Sequence, residues 1–166
     1  GDTPLASVGT TAIKSLSSEQ FGSLTNNQVV ALTTSQAQAL GSTQTGGLTS
    51  SQAGVLQGED LAKLSSTALR EITTSAFANL STSAVQSLSS AQVSSLKAEQ
   101  VIALTTAQAQ ALGTTQAVGL SSTQASSVEG EDLAQVTTTA LRALTSEAIA
   151  QLSTSAVTSL SSTQVG

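Results

Sequence analysis

Residues 104 to 120 read LTTAQAQALGTTQAVGL. Leucine returns at 104, 112 and 120, and small polar residues tend to follow it. Written in eights from Val8, the chain gives twenty consecutive registers to Leu160 with no insertion or deletion. Every first position is Leu, Ile or Val. Ser or Thr fills the second in 14 of 20 octads and the third in 16. The fifth is Gln in eleven, Ala in seven and Asp in two (Asp60 and Asp132), and the sixth is apolar in all but Thr45. The phrase is L-[ST]-[ST]-x-[QA]-Φ-x-x.

A second period lies above the first. LTTSQAQALGSTQ at 32 returns as LTTAQAQALGTTQ at 104, GEDLA at 58 returns at 130, and LSTSAV at 80 returns at 152. The members of each pair stand nine octads apart. We read residues 1–166 as a single repeat array without linker or boundary, cut from a longer protein because it starts on Gly rather than Met.

A continuous α-helix cannot hold this spacing on one face. Eight residues overshoot two turns by about 80°. A flat strand fails as well, because positions 1 and 6 have opposite parity. A short helix restarted in each octad does fit. Ser or Thr at position 2 with Gln at position 5 is the S/T-x-x-Q capping box, in which the hydroxyl accepts from the N3 amide and the Gln side chain reaches back to the cap amide. Thr25 with Gln28 and Thr105 with Gln108 have this form. The helix then runs from about position 3 to position 8, about six residues, and puts position 6 and the next position 1 on one face. Such helices stand only when stacked. The expected fold is therefore all-α, a solenoid of short capped helices, one per octapeptide. The alternative is a β-solenoid with two octads per coil. Where position 6 shrinks to alanine, as at Ala109, Ala117 and Ala125, the core should narrow.

Composition excludes several function classes. The chain has no Cys, Met, Trp, Tyr or His, and its net charge is −5 with mean hydropathy +0.16. Its five basic residues, Lys14, Lys63, Arg70, Lys97 and Arg142, stand singly, which argues against nucleic-acid binding. No apolar run is long enough for membrane insertion. Without His or Cys there is no Ser-His-Asp or Cys-His arrangement and no usual zinc site. No cofactor is expected, and the chain reads as no enzyme. Ser94-Ser95-Leu96-Lys97 matches S-x-x-K without its companion motifs, and Asn79-Leu80-Ser81 is a lone sequon among many serines.

The acidic knots Gln57-Gly58-Glu59-Asp60 and Glu129-Gly130-Glu131-Asp132 are the most distinctive local feature. Clustered carboxylates beside glycine suit a hard cation, so Glu59, Asp60, Glu129, Glu131 and Asp132 are weak Ca²⁺ candidates. Helix starts with acidic first turns, favoured by the helix dipole, account for the same residues more simply.

Octads such as LSSAQVSSL and LTTAQAQAL resemble low-complexity tracts of very large bacterial exoproteins labelled as adhesion or haem-utilisation related. The resemblance covers residues 8–166 in repeat style, and without His, Met, Cys or Tyr there is no ligand for haem iron. The octapeptide period is shared with ice-nucleation proteins, whose Tyr-containing octads do not match. The first resemblance implies an extracellular or cell-surface setting and a role as an extended stalk or spacer. The alternative is a binding module that uses the solenoid surface or groove for a peptide, glycan or protein partner. End-to-end self-association is expected where array ends expose the core.

Overall fold

The computed structural model describes residues 5–166. After one 3-10 turn, Leu5–Ser7, come twenty α-helices of four to six residues, one per octad, and no strand occurs among the described residues. The all-α reading holds and the β-solenoid is excluded.

Each helix starts at octad position 3, just after an extended N-cap. In eight octads the capping box is complete. The Thr105 amide donates to Gln108 Oε1 at 2.9 Å and the Gln108 amide to Thr105 Oγ1 at 3.2 Å. In six of the seven octads with alanine at position 5 the hydroxyl half remains, as at Ser65, Thr73 and Ser81, the exception being Ala12 behind Gly9.

The corner between helices needs no left-handed residue. Leu112 (φ −62°, ψ 125°) and Gly113 (φ −98°, ψ −173°) turn the chain in extended backbone, and no residue has positive φ among those described. Two successive extended residues between helices make this corner, so Gly or Asn at regular positions is unnecessary.

The chain divides into two compact units, 1–87 and 88–166. In the first, each helix packs on the one three octads later: Thr10–Lys14 on Thr34–Ala39, Ser18–Gly22 on Ser42–Gly46, Asn26–Val30 on Ser50–Val55. In the second, Ser90–Ser95 packs on Thr114–Gly119 and Thr106–Ala111 on Gly130–Gln135. A coil is thus three octads, and the nine-octad period is three coils.

The octad has a direction. In the first coil of unit 1 the sixth-position side chains Ile13, Phe21 and Val29 are fully buried, while Ala12 and Gln20 at position 5 are exposed. At the far end of unit 2, Ala148, Ala156 and Gln164 at position 5 are buried, while Ile149, Val157 and Val165 at position 6 are 49%, 47% and 67% exposed. Position 5 therefore packs back on the preceding coil and position 6 forward into the next. The leucines of position 1, such as Leu40, Leu56 and Leu80, fill the axis between them.

Candidate functional site

The best-constructed polar feature is the position-5 glutamine. Its oxygen closes the capping box, and its Nε2 crosses to the coil behind. Gln52 Nε2 donates to the carbonyl oxygens of Phe21 at 2.9 Å, Gly22 at 3.2 Å and Leu24 at 2.8 Å. Gln36 reaches Leu5 and Val8, each at 2.7 Å. In unit 2, Gln124 reaches Val93 at 2.6 Å and Leu96 at 2.8 Å, and Gln164 reaches Leu133 and Val136 at 2.9 and 2.8 Å. The intervals are 31 and 28 residues, one coil plus seven or four. One amide thus fixes its own helix start and ties a helix end and corner below it. Gln36, Gln52 and Gln108 are buried to 2% exposure or less, which an amide tolerates because both of its ends are bonded.

Sequence reasoning found the capping half of this role and missed the crossing half. A signal was present: five glutamines, one aspartate and three alanines fill position 5 through each nine-octad period. A purely local cap would have no reason to follow the longer period.

The acidic knots lie at the same register. Asp60 and Asp132 take the glutamine position and are buried, at 3% and 7% exposure, while Glu59, Glu129 and Glu131 face solvent. The structure thus turns the carboxylates of each knot to opposite sides. Among the described residues no three acidic side chains form a metal-holding group. Neither helix start has a side-chain cap or a capping box. Burial raises the pKa of Asp60, with Glu59 adding to it. Burial raises that of Asp132 to about 6, with Glu129 and Glu131 adding to it.

The glycine of each knot is a packing residue. A Cβ on Gly58 would meet Ser87 Oγ at 2.2 Å, and one on Gly130 would meet Ser159 Oγ at 2.8 Å. Ser159 Oγ donates to the Gly130 carbonyl at 2.8 Å. The recurrence of the glycine in GED thus follows from a close approach of stacked coils that is repeated after nine octads.

Unit 2 contains a cavity of about 30 Å³ along its axis. Ala109, Ala117 and Ala125 line it with leucines and valines, and Asp132 is its one charged residue. Where the sequence suggested a narrower core, the small residues leave space.

The remaining motifs form no reactive arrangement. Ser94 and Ser95 turn their hydroxyls onto the carbonyls of Ala91 and Gln92 in their own helix. Asn79 is exposed and its amide donates to the Ser75 carbonyl. Among the described residues no helix is long and apolar enough to cross a membrane.

A family model described as the ALTTAQ repeat matches residues 5–34 and 77–106. The two matches lie nine octads apart, so they select the same phase of the long period. Neither the curated proteins nor the solved structures contain a match to the chain.

Proposed function

We propose that the chain is a non-enzymatic spacer, an extended stalk in a bacterial surface or secreted protein, whose length is set by the number of coils. The supporting observation is the glutamine tie. Each tie joins a coil to the one behind it by amide-to-carbonyl bonds that recur at successive octads, as at Gln36, Gln44 and Gln52. Coils can therefore be added or removed without new chemistry. The outward face carries mostly Ser, Thr, Ala and Gln, with five basic and ten acidic residues in the whole chain. Such a surface offers little for adventitious partners to hold.

Deletion of residues 32–55, one whole coil, tests this. The maximum dimension from small-angle scattering should fall by one helix-packing distance, about 9 Å, with the helical spectrum per residue preserved. Deletion of a single octad, residues 32–39, should lower stability much more, because it shifts the three-octad register. A whole-coil deletion that unfolds the chain, or leaves its length unchanged, sinks the reading.

A second reading, a binding module, draws on a shallow outer hollow of unit 2. It is lined by Ser90, Thr114, Thr115 and the half-exposed Val118. A glycan or peptide is the class of ligand that such hydroxyls beside one aliphatic would suit. Chemical-shift changes confined to these four residues on titration with an oligosaccharide would favour it. End-to-end association belongs to the spacer reading, through the exposed Ile149, Val157 and Val165, and sedimentation velocity over a hundredfold concentration range tests it.

A further inference from the structure

Within unit 2 the coil steps are not alike. Gln116 and Gln124 tie the helices Thr114–Gly119 and Ser122–Ala125 to the coil behind them, and Gln164 ties Ser162–Val165. Between those ties lies a seam whose position-5 residues are Asp132, Ala140 and Ala148, above Ala109, Ala117 and Ala125. No glutamine crosses it. The 30 Å³ cavity lies in this seam and Asp132 is buried on its wall, beside Val101 and Leu104.

We propose that this seam is a proton-operated joint, closed while Asp132 carries its proton and loosened when the carboxyl ionises. At this register a glutamine offers two N–H groups to the carbonyls 31 and 28 residues back, as Gln164 does. Counted back from Asp132, those carbonyls belong to Val101 and Leu104. A protonated carboxyl can offer one O–H. A carboxylate offers none and sets its charge against an apolar cavity wall. The helices packed most closely on its own helix, Thr106–Ala111 and Thr154–Thr158, carry no charged or titratable side chain, and Ala98–Ile102, which supplies Val101 to the cavity wall, carries only the exposed Glu99. The charged groups beside it, Glu129 and Glu131, have its own sign. No partner in the closed seam compensates the ionised form, so opening to water is its relief. A titration near pH 6 puts this change within the range a secreted or surface protein meets.

The joint adds a compliant point to the spacer reading and does not depend on it. Its test reads the seam directly and leaves the length experiment untouched. Amide exchange of the whole chain, corrected for intrinsic rate, is compared at pH 5 and pH 7.5 over Thr114–Gly119 and Thr138–Arg142. Protection should fall about tenfold between the two, the change expected when a carboxyl of closed-state pKa about 6 has an ordinary value once opened. Protection of Ser90–Ser95 should not follow. Asp132→Asn should abolish the pH dependence, and so should Asp132→Gln, which supplies the residue found in eleven other octads and guards against a variant that fails to fold. Equal protection at both pH values in the parent chain, or an unchanged fall in either variant, overturns the proposal.

Discussion

The hydroxyl of Thr45 donates to the carbonyl oxygen of Ala68 at 2.6 Å across a coil step, and nine octads further on Ala117 has no hydroxyl to offer Ala140. Thr45 and Ala117 both stand at position 6 of equivalent octads. Thr45 is 2% exposed, and its hydroxyl also approaches Gly41 and Ser42 carbonyls of its own helix. Unit 1 thus carries a hydrogen bond in the seam where unit 2 has a cavity. The one polar exception to an apolar column is a replacement tie where glutamine is missing.

Ala117→Thr should therefore stabilise unit 2 by about 1 kcal/mol, through cavity filling and one net hydrogen bond. Thr45→Ala should cost about 1–2 kcal/mol in unit 1, and Thr45→Val less, because valine keeps the buried volume that alanine would leave empty. Urea midpoints of the three variants check the ordering. A destabilised Ala117→Thr would show that the cavity cannot admit a hydroxyl.

Gln52 and Gln20 separate the two roles of position 5. Both close a capping box, but Gln52 also ties three carbonyls behind it, whereas Gln20 is exposed in the first coil. Gln20→Ala should cost about 0.5–1 kcal/mol, the value of a capping interaction. Gln52→Ala should cost about 2–4 kcal/mol, since it leaves buried carbonyls short of a donor. Equal losses in denaturant titrations would mean that the crossing bonds add nothing.

How much of this was legible beforehand follows from which interactions are local. The capping pair Thr105 and Gln108 lies within a single octad, so helix type, start and length could be read from the octad itself. The three-octad coil depends on contacts such as Gln124 with Leu96, 28 residues apart, which no octad-sized window contains. Asp60 and Asp132 were seen as part of acidic clusters because their neighbours are acidic. Their register mattered more, since position 5 faces the coil behind while position 4, held by Glu59 and Glu131, faces water. Ala117 shows the same limit: small residues permit either close approach or empty space, and the packing of distant octads decides between them.

Glycine at coil contacts gives a third prediction. A Cβ on Gly47 would lie 2.0 Å from the Ser18 carbonyl oxygen, and one on Gly119 would lie 2.4 Å from that of Ser90. These backbone atoms cannot turn aside as a side chain could. Gly47→Ala and Gly119→Ala should each destabilise by about 2 kcal/mol or more, despite alanine's better helix propensity. Gly9 has nothing within 4 Å of an added Cβ, so Gly9→Ala should change little. Thermal melts that rank Gly9→Ala with the other two would contradict the close approach.

The buried aspartates also set the direction in which stability changes with pH. Both have folded-state pKa values above 3.8, chiefly through burial. A raised acid pKa means that the folded chain holds its proton more firmly than the unfolded chain. The resulting stability is fully present below the unfolded value and is lost as pH climbs through the folded one. For Asp132 the loss runs from about pH 4 to a little above pH 6. This is opposite to the behaviour of an ion-paired carboxylate. The denaturation midpoint of the parent chain should fall between pH 4 and pH 7, and Asp60→Asn with Asp132→Asn should remove most of that fall. Glu59→Gln alone should lower the Asp60 pKa only slightly, since Glu59 is the lesser of its two causes. A midpoint that rises over the same range in the parent chain would mean that the carboxyls are stabilised as anions in the fold, and that burial does not govern them.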